Sequence, residues 1–332
     1  MDENKTLVLR KDAARAINGD YIWMTLPLMA MGIYLYGMRT ALLCLTAVVT
    51  ANVCDRIVAL LRNRAYEKKD ISSETIGLIL VLLFPVTVKY YVVVIAVSVA
   101  VLLGKEAFGG YGAYPFNPMA LGFAVAGVSW PEQVFGYPAP FTKIPLWDAS
   151  AVATAQGAAY TLRIGGTPNI SLFNLVLGNY AGPIGITSTL IIIACAMYLW
   201  MRKRITFAAP VSFMVVCTLI AFLFPRMGGI GLALPWQYLN LRVASVVYEI
   251  LSGALIYAAI FLINEPVTAP RSELSRLVCG ALLGVLTMLF RYFGTYDLSV
   301  CFSILAMNSV TGYFDRILAP KAKRIKEVQD NG

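Results

Sequence analysis

The sequence predicts an all-α polytopic integral membrane protein with about ten transmembrane helices, some short or broken, and both termini cytoplasmic. Three observations predict it. Of the 332 residues, 59% are hydrophobic and only 14% charged, where a soluble domain carries about 25% charge. Apolar runs recur from one end of the chain to the other, and a helix needs about 20 such residues to cross a bilayer. The basic residues are also sorted. With both termini inside, twenty of the 27 Lys and Arg fall on inner segments and seven on outer ones, the bias expected of a membrane protein. The net charge of +9 is therefore a topology signal, and no nucleic-acid partner is expected.

The elements follow in order. Residues 1–20 are expected to form a polar cytoplasmic tail, with no apolar run beside the charges and so no cleavable signal. A first membrane bundle within 21–129 holds spans at 21–37, 40–60, 75–88, 90–104 and 116–129. The segments 75–88 and 116–129 are short and contain or flank Pro85 and Pro118, so they are expected to be broken or tilted. Residues 130–182 form an outer-side loop. Its WPEQVFGYPAPF stretch has interfacial Trp, Tyr and Pro content, and its ISLFNLVLGNYAGPIG stretch is half apolar and expected to re-enter the membrane. A second bundle at 183–314 holds spans at 183–200, 206–224, 243–263, 277–290 and 296–313, and 315–332 is a basic cytoplasmic tail. The two broken-looking regions, around Pro85 and around the glycines of 165–185, suggest internal duplication.

Composition also excludes chemistry. Histidine is absent, and the six cysteines form no Cys-x-x-Cys pair, so imidazole metal sites and bis-His haem are removed and no metal site within this chain is expected, a Cys-ligated cluster at a subunit interface staying open. No dinucleotide fingerprint follows a strand, which argues against NAD binding by this chain.

Several polar groups stand out against the apolar background. In GKEAFGGYGAYPFNP, Gly109 and Gly110 permit close backbone approach, and Asn117 offers an amide just before a helix-starting Pro118. Asp70, Ser72 and Ser73 are positioned to cap the helix after them. Asp55 precedes Arg56, and each can satisfy the other. Asn308, within an apolar run, requires a partner. Glu265, at a span end in NEPVTAP, either pairs with Arg271 and Arg276 or binds a cation or a flavin edge. In WDASAVATAQ, Asp148 is placed to cap a short helix beginning at Ala149. A threonine such as Thr154 has little reactivity of its own without activation.

Over almost its whole length the chain resembles the RnfD/NqrB family, which comprises the RnfD subunit of Rnf complexes and the NqrB subunit of the sodium-pumping NADH:quinone reductase. The resemblance is carried by KEAFGGYGAYPFNP, by GPIGITS at 182–188, by NEPVTAP at 264–270 beside a family DPVTSP, and by RYFGTYDLSVCFSILAMNSVTGYFD at 291–315. The compact length is closer to RnfD.

The resemblance implies FMN attached through its phosphate to a threonine, in a motif of Asp, two variable residues, Ser or Thr, a small residue, Ala and Thr. Asp148, Ala153 and Thr154 match it, whereas Ala151 replaces the Ser or Thr and Val152 the common Gly. Glu265 stands where the family has Asp, and Ile186 where it often has Glu. The resemblance further implies the RnfD-type subunit of an Rnf-type ferredoxin:NAD+ oxidoreductase, a translocase part that is not catalytic alone and contributes to Na+ or H+ movement. Its setting would be the cytoplasmic membrane of a prokaryote, with Thr154 on the outer side. Implied partners are the other Rnf subunits (A, B, C, E and G types) and a flavin transferase for maturation. A second, noncovalent flavin is also associated with the family. Gly109, Gly110, Asn117 and Glu265 are the candidates for a flavin or ion environment. Two alternatives stand: an NqrB-like flavinylated subunit serving quinone reduction or extracytosolic electron transfer, and a flavin-free transporter.

Overall fold

The computed structural model describes residues 3–63, 71–155, 157–227, 236–294 and 298–318. Asp70, expected as a cap, lies outside them. Helices make up nearly all regular structure. The single β feature among the described residues is a two-residue antiparallel bridge between Tyr137–Pro138 (β1) and Thr154–Ala155 (β2).

The first half contains α1 (Glu3–Tyr36), α2 (Arg39–Leu61), α3 (Ser72–Val81), α4 (Tyr90–Ser98, continued by a π-helix at Val99–Lys105) and α5 (Pro118–Ser129). The second contains α6 (Thr189–Met201), α7 (Ala208–Leu223), α8 (Leu239–Leu251), α9 (Leu255–Tyr257, continued by a π-helix at Ala258–Leu262), α10 (Glu273–Phe293) and α11 (Ser299–Ile317). Among the described residues, three helices are long and apolar enough to cross a membrane: Arg39–Leu61, Tyr90–Phe108 and Glu273–Phe293. A fourth forms if Leu239–Leu251 and Leu255–Leu262, bent by 55°, count as one broken span. Shorter apolar helices lie at Ser72–Val81, Pro118–Ser129, Thr189–Met201 and Ala208–Leu223. The chain is thus a multi-pass membrane protein with broken helices.

One boundary differs from expectation. α1 begins at Glu3, so the segment expected as a polar tail continues the first helix without interruption. The residues from Asn4 to Arg15 are mostly good helix formers, and only Gly19 interrupts them before the apolar turns.

Close helix contacts recur in both halves. A Cβ on Gly122 of α5 would lie 2.5 Å from the Ala96 carbonyl oxygen of α4. A Cβ on Gly280 of α10 would lie 2.4 Å from the Ala209 carbonyl oxygen of α7. Small residues at such crossings let membrane helices approach to van der Waals contact.

The region around Pro85 and the stretch after Gly182 come together in space. Ile184 N donates to Phe84 O at 3.0 Å and Gly185 N to Leu82 O at 2.9 Å. Carbonyls left over where α3 stops at Val81 are thereby satisfied without water. The local sequence that recurs is elsewhere: Pro-Val-Thr follows each broken third span, at 85–87 and at 266–268. The core lies between these breaks, with Leu82, Phe84, Phe123, Tyr257 and Phe261 all fully buried.

Candidate functional site

The attachment-like stretch sits on a loop held at both ends. Asp148 does not cap a helix. Its Oδ1 accepts from Ser150 N and its Oδ2 from the Ser150 hydroxyl, both at 2.9 Å. Val152 N then turns back to Ala149 O at 3.1 Å. This is an Asx turn, which competes with helix formation for the same backbone groups. The Ser150 amide first, then its hydroxyl, hold the Asp148 carboxyl below its usual range, with Lys89 and Arg39 adding to the effect. Ala153 and Thr154 come next, both exposed. Thr154 is fixed by the bridge, opposite Pro138. Its hydroxyl passes over Gly136, where a Cβ would lie 3.2 Å from Thr154 Oγ1. The result is an exposed threonine on a pinned, extended backbone.

Two side chains of the first half pin it. Thr87 Oγ1 donates to Gly136 O at 3.2 Å, next to β1. Arg39, only 1% exposed, spreads its guanidinium over four carbonyls. Nε reaches Val86 O at 2.8 Å and Nη2 reaches Val88 O at 3.0 Å. Nη1 reaches Pro145 O at 3.0 Å and Leu146 O at 2.8 Å. The Tyr90 ring lies 4.8 Å from the Arg39 guanidinium carbon, and its hydroxyl also donates to Leu146 O.

A second polar cluster closes the other break. Glu265, 4% exposed, accepts at Oε1 from the Tyr114 hydroxyl at 2.7 Å. Its Oε2 accepts from Val267 N at 3.1 Å, and from Thr268 N and Thr268 Oγ1 at 2.8 Å each. The expected pairing with Arg271 and Arg276 is not formed: Arg276 Nε binds Pro270 O, and Arg271 N binds the Asp315 carboxylate. The carboxylate instead folds onto the amides of its own turn, which is shorter-range and dry. Asn117 belongs to this neighbourhood. Its Nδ2 donates to Leu262 O at 3.0 Å, its N donates to Asn308 Oδ1 at 3.0 Å, and its Oδ1 caps α5. Asn308 thus has the partner it required.

Gly109 and Gly110 play a more local part. Both have left-handed φ, +111° and +97°, a conformation that costs a side-chain-bearing residue. They fold the loop back on Lys105 and Glu106, with Gly110 N on Lys105 O and Gly109 N on Glu106 O. That fold aims Tyr111 and Tyr114 at a cavity shared with Tyr21, Phe261 and Glu265. Its volume is about 20 Å³, room for one water or a bare ion and not for a flavin ring.

The buried charges were not expected. Glu249, fully buried, lies between Arg226 Nε and Arg291 Nε, each at 2.7 Å. Arg291 Nη2 closes the break after α8 by donating to Ser252 O at 2.7 Å. Buried Lys105 contacts Ser73 Oγ at 2.7 Å and Asp55 Oδ1 at 3.5 Å. Asp55 therefore has Lys105 and Ser73 as partners, and Ser73 bonds to it instead of capping α3. Asp and Glu within apolar runs were the only available signal for these groups. Among the described residues no cluster of His, Cys, Asp and Glu is arranged to hold a metal.

Broken spans closed by buried charges, with a pinned, exposed hydroxyl loop beside one of them, define a polytopic membrane protein built for more than anchoring. Comparison places it further. The model of the NQR2, RnfD, RnfE family matches residues 3–324, and the chain belongs to that family. It is 28% identical over 302 residues to the D subunit of the proton-translocating ferredoxin:NAD(+) oxidoreductase complex of Clostridium ljungdahlii, covering 89% of this chain and 87% of the relative. It is 28% identical over 330 residues to the D subunit of the ion-translocating oxidoreductase complex of Alcanivorax borkumensis, covering 94% and 93%. To the corresponding D subunit in Salmonella paratyphi B it is 30% identical over 328 residues, covering 89% and 90%.

Proposed function

We propose that the chain is the RnfD-type subunit of an Rnf-type ion-translocating ferredoxin:NAD+ oxidoreductase, inactive alone, and that it carries FMN esterified to Thr154. The observation that supports this best is the state of Thr154: exposed, extended and opposite Pro138 in a short bridge. A transferase could reach the hydroxyl without unfolding packed structure. Asp148 would act by shaping the turn before it, through Ser150. Ala151 and Val152 depart from the usual motif, yet the turn itself uses the Asp148 and Ser150 side chains and the Val152 backbone amide, which donates to Ala149 O. FMN would supply the redox chemistry, and the protein its position and electrostatics.

In this reading the chain crosses a prokaryotic cytoplasmic membrane about ten times, with both termini inside and Thr154 outside. The short helices would complete their crossings with the irregular segments that abut them, such as 82–88 beyond α3. The bundles at 21–129 and 183–314, the loop at 130–182 and the tails keep the roles expected of them. Glu265, Asn117 and the tyrosines around them would serve Na+ or H+ passage rather than a second flavin, because the cavity there suits an ion or a water. The remaining Rnf subunits and a flavin transferase are the partners this role requires.

In-gel flavin fluorescence of the denatured chain tests the assignment. The wild-type band should fluoresce and the Thr154→Val band should be dark. Unchanged fluorescence in the variant would reject Thr154 as the attachment site.

A further inference from the structure

The flavin-bearing loop of the proposed function has two flanks, and both are fastened to the same short turn. At one flank Thr87 holds Gly136 O, and Tyr137 beside it pairs with Ala155, the neighbour of Thr154. At the other flank Arg39 holds Pro145 O and Leu146 O, two residues before Asp148. The same guanidinium holds Val86 O and Val88 O, on either side of Thr87. The 85–88 turn is what remains of the third span after α3 stops at Val81.

Arg39 suits this task for a physical reason. Its planar guanidinium carries five N–H donors in a rigid fork, so one side chain can fix four acceptors in a single geometry. All of its side-chain hydrogen bonds go to main-chain carbonyls, two on the loop and two on the span. Its charge also reaches the Asp148 carboxylate at the start of the attachment motif. A buried cation used only to stabilise one helix end would not need acceptors on a second segment about 60 residues further along.

We propose that Arg39 is a positioning residue that keeps the Thr154 loop and the first broken span in one register, so that a change of state at the loop is transmitted to the break. This rests on the reading of Thr154 as the flavin site and of the chain as an ion translocator.

The test uses the assembled complex in membrane vesicles, with Arg39→Lys and Arg39→Met. Lysine keeps the charge and loses the fork; methionine loses both. Hydrogen–deuterium exchange should rise at least tenfold in 144–155 and in 86–88 together, and stay unchanged around Glu265. Na+ or H+ taken up per electron transferred should fall at least threefold in both variants. Exchange rising in only one segment, or uptake per electron staying at the wild-type value, would overturn the proposal. Should Arg39→Met fail to assemble, Arg39→Lys decides alone. A wild-type chain without flavin fluorescence would instead reject the Thr154 reading, and the exchange result would still show whether loop and span move together.

Discussion

The two Pro-Val-Thr turns of this protein are closed by opposite charges. At 85–87 a buried cation, Arg39, faces carbonyls. At 266–268 a buried anion, Glu265, faces amides. The same three residues leave different backbone groups uncovered, because the first turn presents the carbonyls of Val86 and Val88 and the second the N–H groups of Val267 and Thr268. Inside a membrane neither set can turn to water, so each has recruited a side chain of complementary charge. The threonine hydroxyls diverge in the same way. Thr87 reaches out to another segment at Gly136, whereas Thr268 turns inward to its own carboxylate. The first break is thus wired to the loop that carries Thr154 and the second is closed on itself.

Substitutions can break this contrast. The largest loss is expected at the bend after α8, where Glu249→Gln would leave two buried arginines without their counter-charge. Removing one partner from a buried ion cluster costs about 3–5 kcal/mol, and thermal unfolding of the purified complex should register it as a large drop in Tm or a failure to assemble. Glu265→Ala comes next. It strands the Tyr114 hydroxyl, two amides and the Thr268 hydroxyl, at about 3 kcal/mol by the usual cost of unsatisfied buried groups. Glu265→Asp, the residue usual in the family, should keep most of these bonds and lose about 1 kcal/mol.

The smallest effects sharpen the contrast best. Thr87→Val and Thr268→Val each remove about one hydrogen bond, worth about 1 kcal/mol. Limited proteolysis should separate them: Thr87→Val should speed cleavage within 139–155, and Thr268→Val should leave that rate at the wild-type value. Equal protection in both variants would mean that the first turn is no more tied to the loop than the second.

Much of this architecture was legible in the residues. Apolar runs located the long helices, and Pro85 marked a span that stops early, because proline and irregular backbone interrupt a helix by local sterics. The Asn117–Pro118 helix start was also readable, being a local cap. What escaped depended on distance along the chain. The acceptors of Arg39 lie 47 to 107 residues away and are main-chain atoms, which no side-chain pattern announces. Tyr114 and Glu265 are 151 residues apart. Asp148 misled for a different reason: an Asx turn and a helix N-cap use the same side chain and the same nearby amides, and the backbone of the next few residues decides between them. The Gly109–Gly110 pair was read as permitting close backbone approach; both residues have left-handed φ, and their amides meet the chain's own Lys105–Glu106 turn.

Cleavage at Lys143 and Arg163 should release the peptide 144–163, which contains the whole attachment motif together with Ser150 and Thr161. Mass spectrometry of this peptide from the native complex should find it heavier by FMN less one water, with fragmentation placing the addition on Thr154. An unmodified peptide from an active complex, or an addition on Ser150 or Thr161, would contradict the account.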